Sequence, residues 1–296
     1  MKKPFKLSMR ARHMLEGYSF ISIWFVGFLL FLAVPLGRSL YFAFNRMEIS
    51  NSGLKATFNG FHYFRDAFTV DVDFVPALLN TMTTMIFHIP LILVFAMFSA
   101  LLLNRPFVGR LMFRSIFFLP VIIASGTVLQ KLLDQGAATL PIFLQYDLAS
   151  KLSVYVPTEV LLPLLKMMDS LTLVIWDSGV QILIFLAGLQ SVSASLYEAA
   201  DMDGATSWEK FWKITFPMIM PMILVNTLFS IVNSFTEVRN RVMGYIQTIA
   251  FEKNDYGYAS ALGWIYFAII FAVILIVLYL FRNAGASEIR EGRQQR

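Results

Sequence analysis

Cysteine is absent from this 296-residue chain, and histidine is scarce. Without cysteine the chain has no disulfide framework, no thiolate nucleophile and no cysteine-based metal site. The three histidines, His13, His62 and His88, are scattered without metal-site spacing. The Gly-x-x-x-x-Gly-Lys-Ser/Thr phosphate loop is also missing, so this chain lacks the usual means of holding ATP. Neither a Ser/His/Asp arrangement nor paired carboxylates can be argued, and we therefore expect a protein that is not an enzyme.

Charged residues are also few. They make up 15% of the chain, whereas hydrophobic residues make up 57% and include 29 Phe. This apolar content exceeds that of a soluble domain, so the expected solvent is a lipid bilayer. The formal net charge is +5, but the basic residues lie at the edges of apolar runs rather than on one continuous face. We therefore expect contact with membrane lipid and no nucleic-acid partner.

Six apolar runs are long enough to cross about 30 Å of hydrocarbon as helices, which predicts an all-α integral membrane fold. The runs are Tyr18–Gly37, Pro76–Leu103, Phe113–Leu133, Leu171–Gln190, Met218–Thr236 and Tyr256–Phe281. Lysines precede the first run, as in a signal peptide. However, no small-x-small cleavage site follows, and the run is long for a signal core. We expect it to be retained as a helix.

Basic residues also predict the orientation of the chain. The tails 1–17 and 282–296, together with the loops 104–114 and 191–217, carry 14 of the 24 Lys and Arg residues. By the positive-inside rule, both termini and these two loops are predicted to be cytoplasmic. Residues 18–281 then form the transmembrane domain. The segments 38–75 and 134–170 are expected on the outer side.

The loop 191–217, called the elbow below, begins with a helix signal. Ser195 and Glu198 have capping-box spacing, in which the hydroxyl and the carboxylate each bond an otherwise unpaired backbone N–H. Ala199 and Ala200 favour helix and leave one side thin enough for close packing. Gly204 is suited to the left-handed conformation that ends a helix. A short helix is therefore predicted before Gly204.

A second short helix is predicted in the elbow. Thr206 and Glu209 form another capping box, and the helix would continue through Phe211 and Ile214 to a break at Pro217. The result is a helix, a turn and a helix, which is more structure than a plain connector needs. This extra structure on the cytoplasmic side predicts a docking surface.

The elbow also resembles a known motif. The order Glu198-Ala199-Ala200, Asp203-Gly204-Ala205, Phe211, Ile214 and Pro217 resembles the EAA loop of carbohydrate-type ABC importer permeases. Phe216 departs from the Leu that is usual there. Further similar segments are Asn80–Thr81, Leu103–Arg105, Phe117–Pro120, Phe185–Gln190 and Gly257–Leu262. The pattern is closer to the first permease of such systems, although Arg239–Tyr245 replaces the usual external Gly-Gly-Pro loop.

This resemblance implies a type I ABC importer permease in a bacterial inner or plasma membrane. It implies four kinds of partner: a second homologous permease, two ATPase subunits that carry ATP and Mg²⁺, an extracytoplasmic solute-binding protein, and a sugar or oligosaccharide substrate. No cofactor is expected in this chain. The residues implied to couple to the ATPases are Glu198, Ala199, Ala200, Asp203, Gly204, Ala205, Phe211, Ile214 and Pro217.

A polar stripe in the fifth run suggests the substrate pathway. Asn226, Ser230, Asn233 and Glu237 recur at i, i+4, i+7 and i+11, on one face of a helix. Polar groups are costly in hydrocarbon, so this face should meet protein or a wet cavity. A similar group in the fourth run comprises Trp176, Asp177 and Gln181. Amides, carboxylates and aromatic rings suit a sugar, but the stripe also fits interhelical packing between the two permeases.

The sequence therefore predicts the permease subunit of an ATP-driven sugar importer that works by alternating access. A secondary transporter is one alternative, although it would need its own coupling-ion site and usually has repeated halves. A membrane scaffold or enzyme is the other. Arg38, Arg239 and Arg241 are compatible with an acidic substrate, but arginine at such helix ends more often anchors the helix.

Overall fold

The computed structural model describes residues 9–50, 53–123, 157, 171, 173–237 and 239–284. The chain divides into two compact units. One comprises Met1–Ala77 and Arg241–Ile269, and the other comprises Leu78–Asn240 and Ile270–Arg296. Each unit is described separately below.

The first unit begins with a long helical run. Helix α1 (Met9–Phe28), a π-helical turn (Leu29–Ala33) and α2 (Val34–Ala43) follow one another without a break. Together they confirm a helix at the first predicted run and extend it to Ala43. In the most apolar stretch of this helical run, none of the residues is buried by the rest of the chain. Its apolar surface is therefore free to meet lipid or another subunit.

After α2 the first unit contains a β-hairpin that the sequence analysis did not predict. Strand β1 (Asn45–Ser50) pairs antiparallel with β2 (Gly53–Phe58), in a register that places Asn45 opposite Phe58. Helix α3 (His62–Thr69) follows. The hairpin occupies part of the segment expected on the outer side.

A close backbone approach gives Gly257 a structural role in this unit. A Cβ atom at Gly257 would lie 2.5 Å from the backbone oxygen of Asn45 and 2.8 Å from the ring of Tyr63. Any other residue at position 257 would have a Cβ atom, and it would fit only if the backbone at Asn45 moved away. Gly257 thereby allows its helix to pack against the start of the hairpin.

The second unit is built mainly from helices around one apolar core. Its elements include most of α4 (Phe74–Asn104), then α5 (Arg110–Ile123), α6 (Gly179–Ser191), α7 (Ala194–Met202), α8 (Ser207–Lys210), a π-helical turn (Phe211–Thr215) and α9 (Phe216–Thr236). Small residues of α4, Ala96 and Ala100, pack with Ile182 and Phe185 of α6 and Ile219 of α9. The core thus joins three helices that are distant in sequence.

The chain then returns to the first unit. Helix α10 (Arg241–Gln247), a third π-helical turn (Thr248–Glu252) and α11 (Tyr256–Ala284) complete the described structure. The last residues of α11 belong to the second unit.

The break predicted at Pro217 is wrong. The helical path runs on from Ser207 to Thr236, with Pro217 in the first turn of α9. A proline ring crowds the carbonyl four residues earlier and removes one N–H. The π-helical turn before Pro217 widens the helix there, and the N–H of Phe216 bonds the oxygen of Phe211. Pro35 likewise follows a π-helical turn, so both prolines are accommodated by the same device.

Among the described residues, four helices are long and apolar enough to cross a membrane, and a fifth is added if α6 and α7 count as one bent span. Three lie at Glu16–Ala43, Phe74–Asn104 and Tyr256–Arg282, and the fourth lies within the run Ser207–Glu252, which includes the end of α9 at Thr236. Helix α5 covers the start of the third predicted run, whose remainder lies outside the described residues. The segment 134–170 also lies outside them except for residue 157, whereas the fourth run is described except for residue 172 and is covered from Gly179 by α6. The count of six stays a prediction.

Candidate functional site

The first helix of the elbow does not begin as the sequence predicted. Helix α7 starts at Ala194, and its N-cap is Ser193, whose hydroxyl accepts from the N–H of Ser195. The predicted capping box of Ser195 and Glu198 is therefore wrong. Ser193 and Ser195 have the same hydroxyl chemistry and lie two positions apart, so the sequence signal located the helix but chose the wrong serine.

The end of α7 has the geometry expected at Gly204. This residue has φ +75°, a left-handed backbone conformation that residues other than glycine rarely adopt. The N–H of Ala205 bonds the oxygen of Ala200 at 2.9 Å, and the N–H of Gly204 bonds the oxygen of Asp201 at 3.1 Å. These two bonds form a Schellman motif, which satisfies carbonyls that the helix end would leave unpaired. The turn after α7 therefore depends on glycine.

The second capping box is confirmed. Thr206 Oγ1 accepts from the N–H of Glu209 at 3.3 Å, while the Glu209 carboxylate accepts from the N–H of Thr206 at 2.9 Å. This box begins the helical path that continues into α9. Lys213 lies 3.5 Å from Glu209, and this exposed pair contributes little by comparison.

The predicted coupling residues differ in exposure. Glu198, Ala199, Asp203 and Gly204 are exposed, whereas the other five are half-buried. Those five are Ala200, Ala205, Phe211, Ile214 and Pro217. The exposed set lies on α7 and its following turn, with exposed Met202 beside it. The elbow therefore presents a small, mixed polar and apolar surface.

The second unit also contains a small polar cleft. Its lining residues are His88, Ile89, Ile92, Asp177, Gln181, Ser230, Asn233, Ser234 and Glu237. Asp177 is one of these residues and is largely buried. Its carboxylate accepts from Arg239 at 2.8 Å and lies 3.2 Å from His88 Nε2. Arg239 also forms an ion pair with Glu237. One arginine therefore holds two carboxylates that would otherwise repel each other.

Buried amides support one side of the cleft. Asn226 is fully buried and donates to the backbone oxygen of Gln181 at 3.2 Å. Gln181 and Ser230 Oγ lie 2.9 Å apart. When the amide oxygen and nitrogen of Gln181 exchange places, the nitrogen donates to the backbone oxygen of Asp177 at 2.8 Å and the oxygen accepts from Ser230. These bonds tie the fourth and fifth predicted spans together.

The structure divides the predicted polar stripe into two parts. Asn226 and Ser230 are buried between helices, whereas Asn233 is exposed and lines the cleft. Glu237 lies beyond the helix, because α9 ends at Thr236 and Glu237 is extended. Its place on the helical face was therefore predicted wrongly, although it still reaches the cleft. Trp176 is half-buried and does not line the cleft.

Two cleft residues were missed as members of this site. His88 was treated as isolated, and Arg239 was considered only for its charge or as a helix anchor. His88 stands in the middle of helix α4 and is its one ionisable side chain, which is the sequence signal that could have marked it. Arg239 lies in a short connection after α9, where no periodic pattern applies. Its contact with Asp177 spans 62 positions and could not be read from spacing.

A separate polar cluster lies in the first unit. The Asp71 carboxylate accepts from Tyr245 at 2.8 Å, from Tyr258, and from the N–H groups of Asp73 and Phe74 at 2.9 Å each. Burial alone would raise the pKa of Asp71, but these hydrogen bonds outweigh it and hold the pKa below its ordinary value. Asp71 therefore stays charged and fixes α10 and α11 to the segment before α4.

The described residues contain no group of three His, Asp or Glu side chains that could hold a metal ion. The side chains of the cleft are held by hydrogen bonds and ion pairs with one another. The cleft's carboxylate and amide oxygens can accept hydrogen bonds from a ligand rich in hydroxyl groups.

A family model described as "binding-protein-dependent transport system inner membrane component" matches residues 74–288. The probable ABC transporter permease protein YesP of Bacillus subtilis is 30% identical over 292 residues, covering 92% of this chain and 91% of that protein. The arabinooligosaccharides transport system permease protein AraP of Halalkalibacterium halodurans is 27% identical, covering 89% and 86% respectively.

A solved structure shares the fold. It is a chain of a bacterial ABC transporter involved in the import of the acidic polysaccharide alginate, with a TM-score of 0.62 and 20% sequence identity. The match covers 92% of this chain and 96% of that one. A second structure of the alginate transporter, in complex with its pentasaccharide-bound periplasmic protein, matches equally well.

Proposed function

This chain belongs to the family of binding-protein-dependent transport system inner membrane components, and on that premise we propose that it is the permease subunit of an ABC importer for a sugar or oligosaccharide. It is a multi-pass membrane protein and a transport subunit rather than an enzyme. The observation that carries the proposal is the family match over residues 74–288, because this range contains both the elbow and the cleft.

The proposed topology has six spans and cytoplasmic termini. The tails 1–17 and 282–296 flank a transmembrane domain of residues 18–281, and the distribution of Lys and Arg supports this orientation. The elbow then faces the cytoplasm. The hairpin and the Asp71 cluster would lie on the outer side, within reach of a solute-binding protein.

The proposed assembly contains this chain, a second homologous permease and two ATPase subunits. ATP and Mg²⁺ would be held by the ATPases. We place the contact with one ATPase at α7 and the turn after it, where Glu198, Ala199, Asp203 and Gly204 are exposed. A short helix with small side chains suits a groove in a partner, because the backbone can approach it closely.

The substrate class is proposed from relatives and from the cleft. Curated relatives include permeases named for arabinooligosaccharides, multiple sugars and lactose. The cleft supplies carboxylate and amide oxygens, which are suitable partners for sugar hydroxyls. Asn233 and Glu237 are the side chains of the stripe that would meet substrate in the cleft, while Asn226 and Ser230 stabilise its wall.

The proposed mechanism is alternating access. ATP binding would draw the two ATPases together, and the elbows would carry this motion into the membrane helices. Sugar released by the binding protein would then enter from outside, and ATP hydrolysis would reset the pathway. A secondary transporter is disfavoured by the family membership.

Reconstitution tests this function. The chain is co-expressed with a second permease, an ATPase and a binding protein from the same organism, and the purified complex is placed in vesicles. We expect sugar uptake that requires both ATP and the loaded binding protein. Uptake driven by an ion gradient without ATP would instead support a secondary transporter.

A further inference from the structure

The elbow helix α7 has two distinct faces. Tyr197 and Asp201 are four positions apart and lie on one face, whereas Glu198 and Met202 are four apart on a neighbouring face. Glu198 and Met202 are exposed. Tyr197 is half-buried, and its hydroxyl lies 2.8 Å from Thr215 Oγ1. One face is therefore open to a partner, while the other is attached to the chain's own next helix.

Thr215 is well suited to receive this contact. It is buried and lies in the π-helical turn that leads directly into α9. Its hydroxyl also lies 3.4 Å from the oxygen of Lys210, to which it donates. Either hydroxyl can donate in the shorter bond between Tyr197 and Thr215. The two hydroxyls thus join α7 to the helix that becomes α9.

A second contact joins the same two elements. Lys210 of α8 reaches Asp201 in the last turn of α7, and the lysine side chain is largely buried. The two elements are therefore held at Tyr197 and Asp201. Between them lies Gly204, whose backbone would otherwise provide a natural hinge. Without these contacts, motion of α7 could be absorbed by rotation at the turn.

We propose that Tyr197 and Thr215 are positioning residues that make α7 and the helix from Ser207 to Thr236 move as one body. The proposal rests on the proposed function, since it concerns how a push on α7 reaches the transport pathway. Neither residue is required to touch the ATPase or the sugar. Loss of either residue's contact should leave the ATPase and the sugar bound, but it should lower the amount of sugar imported per ATP hydrolysed.

Removal of single hydroxyls tests this proposal. In the reconstituted complex, Tyr197→Phe and Thr215→Val should each lower the sugar imported per ATP hydrolysed by about fivefold, the order expected for one lost hydrogen bond. ATPase capture should be unchanged. Thr215→Ser keeps the hydroxyl and should restore the ratio. Thr227→Val is the matched control, because Thr227 bonds Ile223 within its own helix. It should leave the ratio unchanged.

The double variant and a cross-link sharpen the test. If the residues act through one bond, Tyr197→Phe with Thr215→Val should be no worse than either change alone. The natural chain has no cysteine, so Tyr197→Cys with Thr215→Cys offers a unique pair for a short thiol-reactive linker. The unlinked double-cysteine variant should import less sugar per ATP hydrolysed. If α7 and the following helix move as one body, linking the two cysteines should restore this ratio. This measurement remains informative if Thr215→Val fails to assemble.

The outcomes separate this inference from the proposed function. A wild-type complex that imports sugar normally, with an unchanged ratio in both single variants, would overturn only the positioning role. The same conclusion follows if the two losses add, or if the linker blocks transport. A correctly assembled wild-type complex without ATP-dependent uptake would overturn the proposed function, and the positioning role with it.

Discussion

The elbow and the cleft are built in opposite ways. Bonds in the elbow join residues close in sequence, with Tyr197 and Thr215 the farthest apart at 18 positions. The cleft instead depends on long-range bonds across 45 to 89 positions, such as those from Asn226 to Gln181 and from Asp177 to His88. A locally closed element can move without unfolding, whereas a cleft shared among several helices changes shape when those helices move. This difference suits transmission in one region and substrate binding in the other.

The largest expected effect comes from breaking the elbow turn. Gly204→Leu would force a side chain into a conformation of φ +75° on the proposed docking surface. We expect ATP-dependent uptake in vesicles to fall by more than about tenfold, the equivalent of roughly 1.4 kcal/mol. Membrane insertion should survive.

Gly263→Ala is the control for this change, because Gly263 lies in a helix and has open space around it. It should insert and transport normally. Normal uptake with Gly204→Leu would remove the basis for the docking assignment.

The next effect concerns the ion network of the cleft. Arg239→Met would leave Asp177 and Glu237 without their shared cation, which should destabilise the protein by roughly 2 kcal/mol. The midpoint of thermal denaturation in detergent measures this loss. Arg241→Met, at an exposed arginine two positions away, should change the midpoint little. An equal response in both variants would show that the network contributes nothing specific.

A third comparison divides the polar stripe. Asn226 is fully buried, whereas Asn233 is exposed and lines the cleft. Asn226→Leu should therefore lower thermal stability and reduce assembly, since it leaves the oxygen of Gln181 without its donor. Asn233→Leu should reduce uptake while the complex stays assembled. If Asn233→Leu separates the two permeases instead, that residue belongs to their interface and not to the pathway.

The smallest effect concerns Asp71 in the first unit. Because hydrogen bonds lower its pKa, its stabilising contribution is complete above the pKa of an unfolded aspartate and is lost as pH falls through the lower folded value. Asp71→Asn should lower the midpoint of thermal denaturation at neutral pH by on the order of 2 °C. As the pH falls, the midpoint of this variant should then decrease less than that of the wild type. Asp73→Asn, at the exposed neighbouring carboxylate, is the control. Identical acid profiles in wild type and Asp71→Asn would refute this contribution.

Sequence reasoning succeeded where structure is local. The capping box at Thr206, the left-handed Gly204 and the long apolar helices follow from neighbouring residues. It failed at Ser195, where two equivalent serines compete, and at Pro217, where a π-helical turn accommodates the ring. The hairpin was missed although Met47–Ser50 and Leu54–Phe58 both alternate apolar and polar residues on either side of a turn-forming Asn-Ser-Gly segment, which is a signal that could have found it. The contacts of Arg239 and His88 depend on how helices pack, which one sequence does not encode in its spacing.

The most direct test measures ATPase capture and sugar uptake in the same preparations of two variants. Gly204→Leu alters the elbow, and Asn233→Leu alters the cleft. If the elbow transmits and the cleft binds, Gly204→Leu should lose both ATPase capture and uptake, whereas Asn233→Leu should keep capture and lose only uptake. Full capture by Gly204→Leu together with lost capture by Asn233→Leu would contradict the division of roles.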